Sequence, residues 1–224
     1  MGGAKVSVVI PTMNEEGSIG LVIDEVRAAL DGRRPYEVLV VDTDSKDRTR
    51  EIASSKGAAV VDEPRRGYGR AYRTGFEKAS GELVATLDAD MTYPASEIPV
   101  LADMLEEKGL DFVTTNRFAR MEKGAMSAKH RFGNWLLSAT ARVLFRVKLK
   151  DSQSGMWVFR RVVLDRLELT SEGMSFSEEL KIEAFRKLRA AEVPILYRSR
   201  IGEVKLNSWK DGFGNMKFLF RKRF

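Results

Sequence analysis

Short apolar runs alternate with helix-like segments over the first half of the chain. The runs are β-branched and end at polar residues or proline, as buried strands do, and the segments between them repeat apolar residues at helical spacing. The predicted strands cover residues 5–11, 36–42, 58–63, 82–88 and 111–117. The predicted helices cover residues 18–32, 45–57, 68–80 and 95–109. This alternation is typical of an α/β fold with a mainly parallel sheet and helices on both faces.

The pattern changes after residue 117. A helix is predicted over 132–146, a short strand within 151–161, a helix over 177–190 and a strand over 193–201. The last residues alternate aromatic and basic side chains. Because no repeat or low-complexity linker interrupts the chain, we expect one domain over residues 1–212 and a basic, amphipathic extension over residues 213–224.

Two acids, Asp88 and Asp90, lie at the end of the predicted strand at 82–88, at the carboxyl edge where ligands bind in open α/β sheets. The pleat of a strand would point both side chains to one side, with Ala89 between them. Two close carboxylates stay ionised only beside a cation, and Mg²⁺ or Mn²⁺ suits them. The alternative is a helix-capping acid with a solvated neighbour.

Other polar residues follow the first two predicted strands. Asn14 and Glu15 can hydrogen-bond a base or ribose, or they can belong to a polar turn. Asp42 is placed to accept from a base N–H or a ribose hydroxyl, whereas Asp44 and Asp47 are expected to cap the next helix.

A glycine- and arginine-rich segment, "RRGYGR", opens the helix at 68–80 and offers Arg66 and Gly67 to a phosphate. It is not a P-loop, because no G-K-[ST] follows. Among the other arginines, Arg117 ends a predicted strand at the same edge as the acids. The alternative for each arginine is a solvated surface group, which is what most arginines are.

The composition narrows the chemistry. The chain has no cysteine and one histidine, His130, which excludes disulfides and zinc sites built on thiolates or histidines. The net charge is +6, and residues 117–150 carry nine Lys or Arg against one Glu. Residues 195–224 carry eight Lys or Arg against two acids. Basic blocks on an acidic body suggest nucleic acid, anionic lipid or phosphate as a partner. No signal peptide or bilayer-length apolar run is visible, so we expect a cytoplasmic protein.

Six motifs in one order resemble the family-2 glycosyltransferases of the GT-A fold, a Rossmann-like architecture, and within them the polyprenyl (dolichyl) phosphate sugar synthases. The resemblance extends from about Lys5 to Gly212. The motifs are "VVIPTMNEE", "VVD-x-x-S-x-D-x-T", "RGYGRAYRTGF", "LDAD", "DSQSGMWVFRR" and "RIGEVKLNSWKDG".

The resemblance implies inverting transfer of a sugar from a nucleotide-diphosphate donor, bound by about residues 1–117, to a lipid phosphate, bound by about residues 118–212. Asp88 and Asp90 would hold the metal, Arg117 and Arg131 the acceptor phosphate, and Arg200 and Lys205 would close on the diphosphate. The implied catalytic residues are Asp90, Arg117, Arg131 and Arg200. The implied donor-binding residues are Pro11, Thr12, Asn14, Glu15, Asp42, Arg66, Gly67, Asp88, Ala89, Asp90, Arg200 and Lys205.

Two positions depart from the family pattern. Thr92 stands where mannose synthases often have Gln, which leaves the third metal ligand open, and Thr43 replaces the second of two adjacent acids. We expect a UDP-hexose donor from the likeness of "GMSFSEE" and "NSWKDG" to the glucose-type branch, with GDP-mannose as the alternative.

The acceptor also has alternatives. A phosphate oxygen is already ionised at pH 7 and needs no strong base, whereas the hydroxyl of a soluble or polysaccharide acceptor requires one. Glu178 and Glu179 are the candidates for that base, although acids on a helix surface are usually solvated. The other interpretation of the basic blocks is that the protein binds nucleic acid, but the blocks lack a recognisable nucleic-acid-binding motif.

A membrane surface is the expected partner of residues 132–146 and of the C-terminal segment, with Trp135 and Phe145 immersed and the protein peripheral on the cytoplasmic face. An ordinary core helix is the alternative reading for residues 132–146. Many relatives continue into membrane spans, so a chain ending at Phe224 is expected to be either peripheral or truncated.

Overall fold

The structure is a computed structural model that describes residues 4–202 and 208–224, the side chains of 208–210 excepted. Within these ranges the strands are β1 Val6–Thr12, β2 Tyr36–Asp42, β3 Ala59–Asp62, β4 Leu83–Thr86, β5 Phe112–Met121, β6 Trp157–Arg160 and β7 Ala190–Tyr197. The helices are α1 Ile19–Leu30, α2 Thr49–Ser55, α3 Tyr68–Lys78, α4 Glu97–Glu107, α5 Ala128–Phe145, α6 Phe176–Lys187 and α7 Ser208–Arg223, with a 3-10 helix over Arg161–Arg166.

The strands form one seven-stranded sheet in the order β3-β2-β1-β4-β6-β5-β7. Every pairing is parallel except those of β6, which runs antiparallel to β4 and β5. The predicted α/β fold with a mainly parallel sheet is therefore confirmed. The strand order reverses at β1, which pairs with β2 on one side and β4 on the other. The crevice beyond β1 and β4 is thus a topological switch point, where ligands bind in such sheets.

Alternation along β1 supplies both faces of the core. Val8 and Ile10 point to the face covered by α1 and α4, whereas Val9 points to the face covered by α3 and α6. The second face is rich in aromatic rings, among them Tyr72 and Trp157, whose centroids lie 5.0 Å apart. Helices cover both faces of the sheet through apolar contacts, so the loops at its carboxyl edge extend from a well-packed core.

A third apolar cluster joins the last helices to the sheet domain. Leu137 and Ala141 of α5 pack with Ile182 of α6 and with Leu219 of α7, which is fully buried. Phe145 is 8% exposed in the same cluster, so the prediction that it is immersed in a membrane was wrong. The predicted extension at residues 213–224 thus belongs to a helix that packs on α5 and α6. None of the helices in the described ranges combines the length and apolarity that a bilayer crossing demands.

Several predicted boundaries shift. Helix α5 begins at Ala128, four residues before the predicted helix, because Ser127 accepts a hydrogen bond from His130 N at 3.3 Å and caps it. Strand β4 ends at Thr86 instead of residue 88, which affects the acids that follow.

Candidate functional site

The first acid lies beyond the strand, not in it. Asp88 follows Leu87 in an irregular segment, so the pleat does not aim the acid pair, and that part of the prediction was wrong. Asp88 is half-buried, and its Oδ1 accepts from Tyr68 Oη at 3.3 Å and from Tyr72 Oη at 3.5 Å. Burial raises the pKa of Asp88 to about 7, and the negative charge of Asp90 acts in the same direction.

The second acid is held from both sides. Asp90 Oδ1 accepts from Thr92 N at 3.0 Å and from Thr92 Oγ1 at 2.6 Å, and Asp90 Oδ2 pairs with Arg200 NH2 at 2.7 Å. The main chain of the Arg200 segment is tied to the same turn, because Ile201 N donates to Asp90 O at 3.0 Å. Thr92, 1% exposed, therefore orients Asp90 in this structure, and the third metal ligand stays unassigned.

The acid pair suits a hard divalent cation. Its donors are carboxylate oxygens, and Asp88 Oδ2 has no hydrogen-bond partner among the described residues. Over the same residues, no cluster of three or more His, Cys, Asp or Glu is arranged to bind a metal. Two carboxylates hold Mg²⁺ or Mn²⁺ when substrate phosphates and water complete the coordination. Ala89 between them is 4% exposed and packs into the core.

Arg117 is not a solvated surface group. Its side chain is 8% exposed, and its Nε donates to Asp151 Oδ2 at 2.7 Å while NH2 donates to Asp151 Oδ1 at 2.8 Å. Its Cζ atom lies 5.4 Å from the centroid of the Tyr197 ring. The positive charges of Arg200 and of Arg117 oppose the rise in the pKa of Asp88, so the Arg117 guanidinium lies within electrostatic range of the acid.

The loops after β1 and β2 are linked by polar contacts. Thr12 Oγ1 donates to Asp42 Oδ1 at 3.1 Å, and Ser45 N donates to Asp42 Oδ2 at 2.9 Å. Asn14, with φ of +54°, accepts from Lys46 N at 2.7 Å. The Asp42 carboxylate is fully buried and shapes the turn after β2, so its predicted contact with a nucleotide remains a prediction.

Glu15 lies where the segments after β1 and β7 approach each other. A Cβ atom built on Gly202 would stand 3.7 Å from Glu15 Oε2. Pro11, partly buried, precedes this loop at the end of β1. The segment carrying Arg200 therefore spans from the acid pair to the predicted nucleotide side. Lys205 lies outside the described residues.

The glycines of "RGYGR" have a packing role. A Cβ atom on Gly67 would stand 2.4 Å from Glu172 O, and one on Gly69 would stand 2.6 Å from Ser171 O. Both positions therefore need glycine for close approach to the loop before α6. Arg66 beside them is exposed, and the predicted phosphate contact of Arg66 and Gly67 stays a prediction.

Arg131 lies on the exposed side of the first turns of α5. Of the predicted acceptor residues, Arg117 is therefore at the acid pair, whereas Arg131 is on the solvent side of the helix that follows β5. The structure tests neither as a phosphate contact.

The sequence did not assign a role to several residues that build the site. Asp151 is buried against Arg117, and Gly155 approaches the acids so closely that a Cβ atom there would stand 3.1 Å from Asp88 Oδ1. Both belong to "DSQSG", whose polar residues between two apolar elements were the available signal. The expectation that Glu178 and Glu179 are solvated was wrong, because both are 0% exposed.

Glu178 and Glu179 differ in their partners. Glu179 accepts from Ser171 N at 2.7 Å and pairs with Lys222 Nζ at 3.2 Å. Glu178 Oε2 accepts from Gln153 Nε2 at 2.8 Å, and Glu178 Oε1 has no partner among the described residues. Burial raises the pKa of Glu178 well above its ordinary value, outweighing the hydrogen bond from Gln153.

Comparison with known proteins places these features in a family. The sequence model described as glycosyl transferase family 2 matches residues 7–168. The low-salt glycan biosynthesis hexosyltransferase Agl6 of Haloferax volcanii is 39% identical over 95% of this chain. The chain spans 52% of that relative's length. The dolichyl-phosphate hexose transferase of the same organism is 38% identical, over 92% of this chain and 88% of its own.

Among solved structures, glucosyl-3-phosphoglycerate synthase from Mycobacterium tuberculosis has a similar fold. Its complex with Mn²⁺, uridine diphosphate and glucosyl-3-phosphoglycerate gives a TM-score of 0.77 at 25% identity, over 99% of this chain and 80% of that one. The fold is thus the one expected from the sequence. Because the family model covers well over half of the chain and a relative at 38% identity covers nearly all of it, this chain belongs to glycosyl transferase family 2.

Proposed function

We propose that the chain transfers a hexose, with inversion, from a nucleotide-diphosphate sugar to the phosphate of a polyprenyl or dolichyl lipid. The observation that carries the proposal is the meeting of Asp88 and Asp90 with Arg117 and Arg200 at the switch point of the sheet. Acids there suit a metal–diphosphate, and guanidinium groups suit phosphates. The names of the Haloferax relatives support the reaction class and, in one case, the lipid phosphate.

On the donor side, Asp88 and Asp90 would hold Mg²⁺ or Mn²⁺. The metal, when bound, would offset the charge of the donor diphosphate and of the leaving group. Arg200 would add a second positive charge, and Lys205 a third. We favour a UDP-sugar, with GDP-mannose as the alternative donor. The nucleotide would lie along Pro11, Thr12, Asn14, Glu15, Asp42, Arg66 and Gly67.

On the acceptor side, Arg117 and Arg131 would bind the lipid phosphate and reduce its repulsion from the donor. One phosphate oxygen attacks the anomeric carbon, the bond from that carbon to the diphosphate oxygen breaks, and its electron pair leaves with the nucleoside diphosphate. Attack opposite the leaving group gives a β-linked product from an α-linked donor. Positioning and charge stabilisation then carry the catalysis.

The exposed side of α5 and α7 supports a membrane surface as partner. Phe132, Trp135 and Val143 of α5 are 64%, 51% and 77% exposed, and Phe213 and Phe220 of α7 are 74% and 48% exposed. Basic residues lie beside them, so this face combines apolar and cationic groups, as interfacial helices do. We place it on the cytoplasmic face of a membrane.

Vesicle binding tests that placement. Trp135→Ser should weaken co-sedimentation with vesicles of anionic and zwitterionic lipid severalfold, since an apolar anchor is lost. Val162→Ser is the matched control, because Val162 is 71% exposed and belongs to the 3-10 helix, not to α5 or α7. Equal loss in the two variants, or none in either, would count against the membrane face.

A soluble or polysaccharide acceptor is the alternative, and it requires a catalytic base. Glu178 and Glu179 were the candidates, and their complete burial is an argument against that role. Neither side chain has an exposed edge to meet an acceptor hydroxyl.

A donor panel tests the proposed reaction. Purified protein is incubated with Mn²⁺, dolichyl phosphate and labelled UDP-glucose, UDP-N-acetylglucosamine or GDP-mannose, and lipid extracts are examined for sugar. Asp90→Asn should lower the rate about 100-fold or more. Asp24→Asn, an exposed acid on α1, should leave it unchanged. Absence of sugar-lipid with every donor, or a wild-type rate for Asp90→Asn, rejects the proposal.

A further inference from the structure

A buried carboxylate occupies one edge of the Arg117 guanidinium. Besides the two side-chain bonds already described, Arg117 N donates to Asp151 Oδ2 at 3.0 Å. Asp151 is 0% exposed. Three hydrogen bonds from one residue to one carboxylate fix the plane of the guanidinium relative to strand β5.

Asp151 is itself held by two other elements and by its own loop. Lys181 Nζ of α6 donates to Asp151 O at 2.9 Å, Asp151 N donates to Glu192 Oε1 of β7 at 2.8 Å, and Gln153 N donates to Asp151 Oδ1 at 3.1 Å. Lys181 is fully buried. The carboxylate therefore cannot follow a moving arginine, and it instead determines where the arginine stays.

The remaining N–H groups of Arg117 are turned away from Asp151. Nε and one N–H of NH2 donate to Asp151, and no residue in the described ranges accepts from NH1 or from the other N–H of NH2, which leaves these groups for a ligand. The Tyr197 ring supports the guanidinium from its face. The free end is the part that a phosphate would contact.

Asp151 is poorly suited to accept a proton from a substrate. Each of its oxygens already accepts two hydrogen bonds, Oδ1 from Arg117 and Gln153, and Oδ2 from Arg117 twice. Burial by itself raises the pKa of Asp151, but the charge and hydrogen bonds of Arg117 outweigh burial and hold that pKa below its usual value. It therefore stays ionised and paired.

We infer that Asp151 is a positioning residue, which holds Arg117 so that the free end of its guanidinium meets the acceptor phosphate. This inference rests on the proposed function, since it assigns Arg117 to the acceptor. Asp151 acts through Arg117 and takes no proton in the reaction. Misplacing Arg117 should therefore weaken use of the acceptor and leave the donor side intact.

The test compares Asp151→Asn, Arg117→Gln and the double variant, with farnesyl phosphate as a short acceptor. Asp151→Asn should raise the acceptor KM about 10- to 100-fold and leave the Kd for the nucleotide unchanged. The double variant should match Arg117→Gln in kcat and acceptor KM, because Asp151 has nothing left to position. A double variant slower than Arg117→Gln, or loss of the acidic limb of the pH–rate profile, would show a direct chemical role and overturn the inference.

The test remains decisive even if the Asp151→Asn variant does not fold. Asp151→Asn leaves the buried charge of Arg117 unpaired and can unfold the protein. The comparison of Arg117→Gln with the double variant then decides, since the double variant contains neither charge. Glu106→Gln is the matched control, because it removes a carboxylate from Arg34, a 9% exposed arginine just before β2, and should leave the acceptor KM unchanged.

The inference and the proposed function fail in different ways. If wild-type protein forms product and Asp151→Asn keeps the wild-type acceptor KM, only the inference is rejected. If wild-type protein forms no sugar-lipid with any donor, the proposed function is rejected, and binding of farnesyl phosphate or inorganic phosphate is measured instead. Weaker binding by Asp151→Asn then supports the positioning role, and equal or absent binding in both proteins overturns it.

Discussion

Replacing Glu178 by Gln should stabilise the protein at neutral and alkaline pH. Glu178 is 0% exposed, its Oε1 has no described partner, and burial raises its pKa well above 4.5. The folded protein therefore keeps a proton that the unfolded chain releases. Gln resembles the protonated acid in shape, and its amide oxygen can accept the same bond from Gln153 Nε2, now 2.8 Å from Glu178 Oε2.

The sign and size follow from proton linkage. Between pH 4.5 and the raised pKa of the folded state, the unfolded Glu178 is ionised and the folded one is protonated, so unfolding releases a proton and the free energy of unfolding falls as pH rises. The slope is about 1.4 kcal/mol per pH unit, from about pH 4.5 up to the pKa of the folded state. Below that window the contribution is fully present in the wild type. Because the side chain is fully buried, solvent screening does not reduce it.

Urea unfolding at pH 5, 6, 7 and 8 measures the effect. The difference between Glu178→Gln and wild type should be small at pH 5 and should grow with pH in favour of the variant. Glu179→Gln is the matched control on the next residue. It weakens the contacts with Ser171 N and Lys222, so it should destabilise the protein by about 1–3 kcal/mol. A Glu178→Gln difference that is independent of pH, or that disfavours the variant as pH rises, refutes the reasoning.

Two further predictions concern the acids. Gly155→Ala should displace the Asp88 side chain, because the new Cβ would stand 2.7 Å from Tyr68 Oη and 3.1 Å from Asp88 Oδ1. The affinity for Mn²⁺, measured by electron paramagnetic resonance, should therefore fall. An unchanged affinity contradicts the importance of this close contact. Arg200→Gln should instead raise Mn²⁺ affinity without donor by about two- to fivefold, since a competing cation leaves Asp90, and equal or weaker binding contradicts the competition.

The fold could be predicted because its signals are local. Strand β2 was predicted at residues 36–42 and is found at Tyr36–Asp42, since an apolar run buried on both faces is hard to mistake. The predicted strand boundaries were less accurate where pairing with a neighbouring strand determines them. Strand β7 runs from Ala190 because β5 pairs with it from Phe112 onward, a contact that the sequence near residue 190 does not reveal.

The candidate site could be predicted only in part, because its contacts join distant segments. The acids were visible as a motif. Arg117 was predicted to end a strand, which was wrong, because β5 continues past it to Met121. The partner of Arg117, Asp151, lies 34 residues away, across the basic helix α5. Glu178 and Glu179 have the local pattern of surface residues and are buried because α3, α5, α7 and β7 all pack near α6.

The Arg117–Asp151 and Arg200–Asp90 pairs differ in burial, and this difference predicts which arginine can move during the proposed reaction. Arg117 and Asp151 have side chains only 8% and 0% exposed, so separating them would leave two buried charges at a cost of about 3–5 kcal/mol. The Arg200 side chain is 26% exposed and that of Asp90 is 3% exposed, so water reaches the arginine of this pair and separating it leaves only the acid buried. Arg200 can therefore exchange Asp90 for a metal-bound diphosphate, whereas Arg117 should receive the acceptor without leaving Asp151. In the proposed reaction the donor side of the site would thus be adjustable, and the acceptor side would be fixed before substrate arrives.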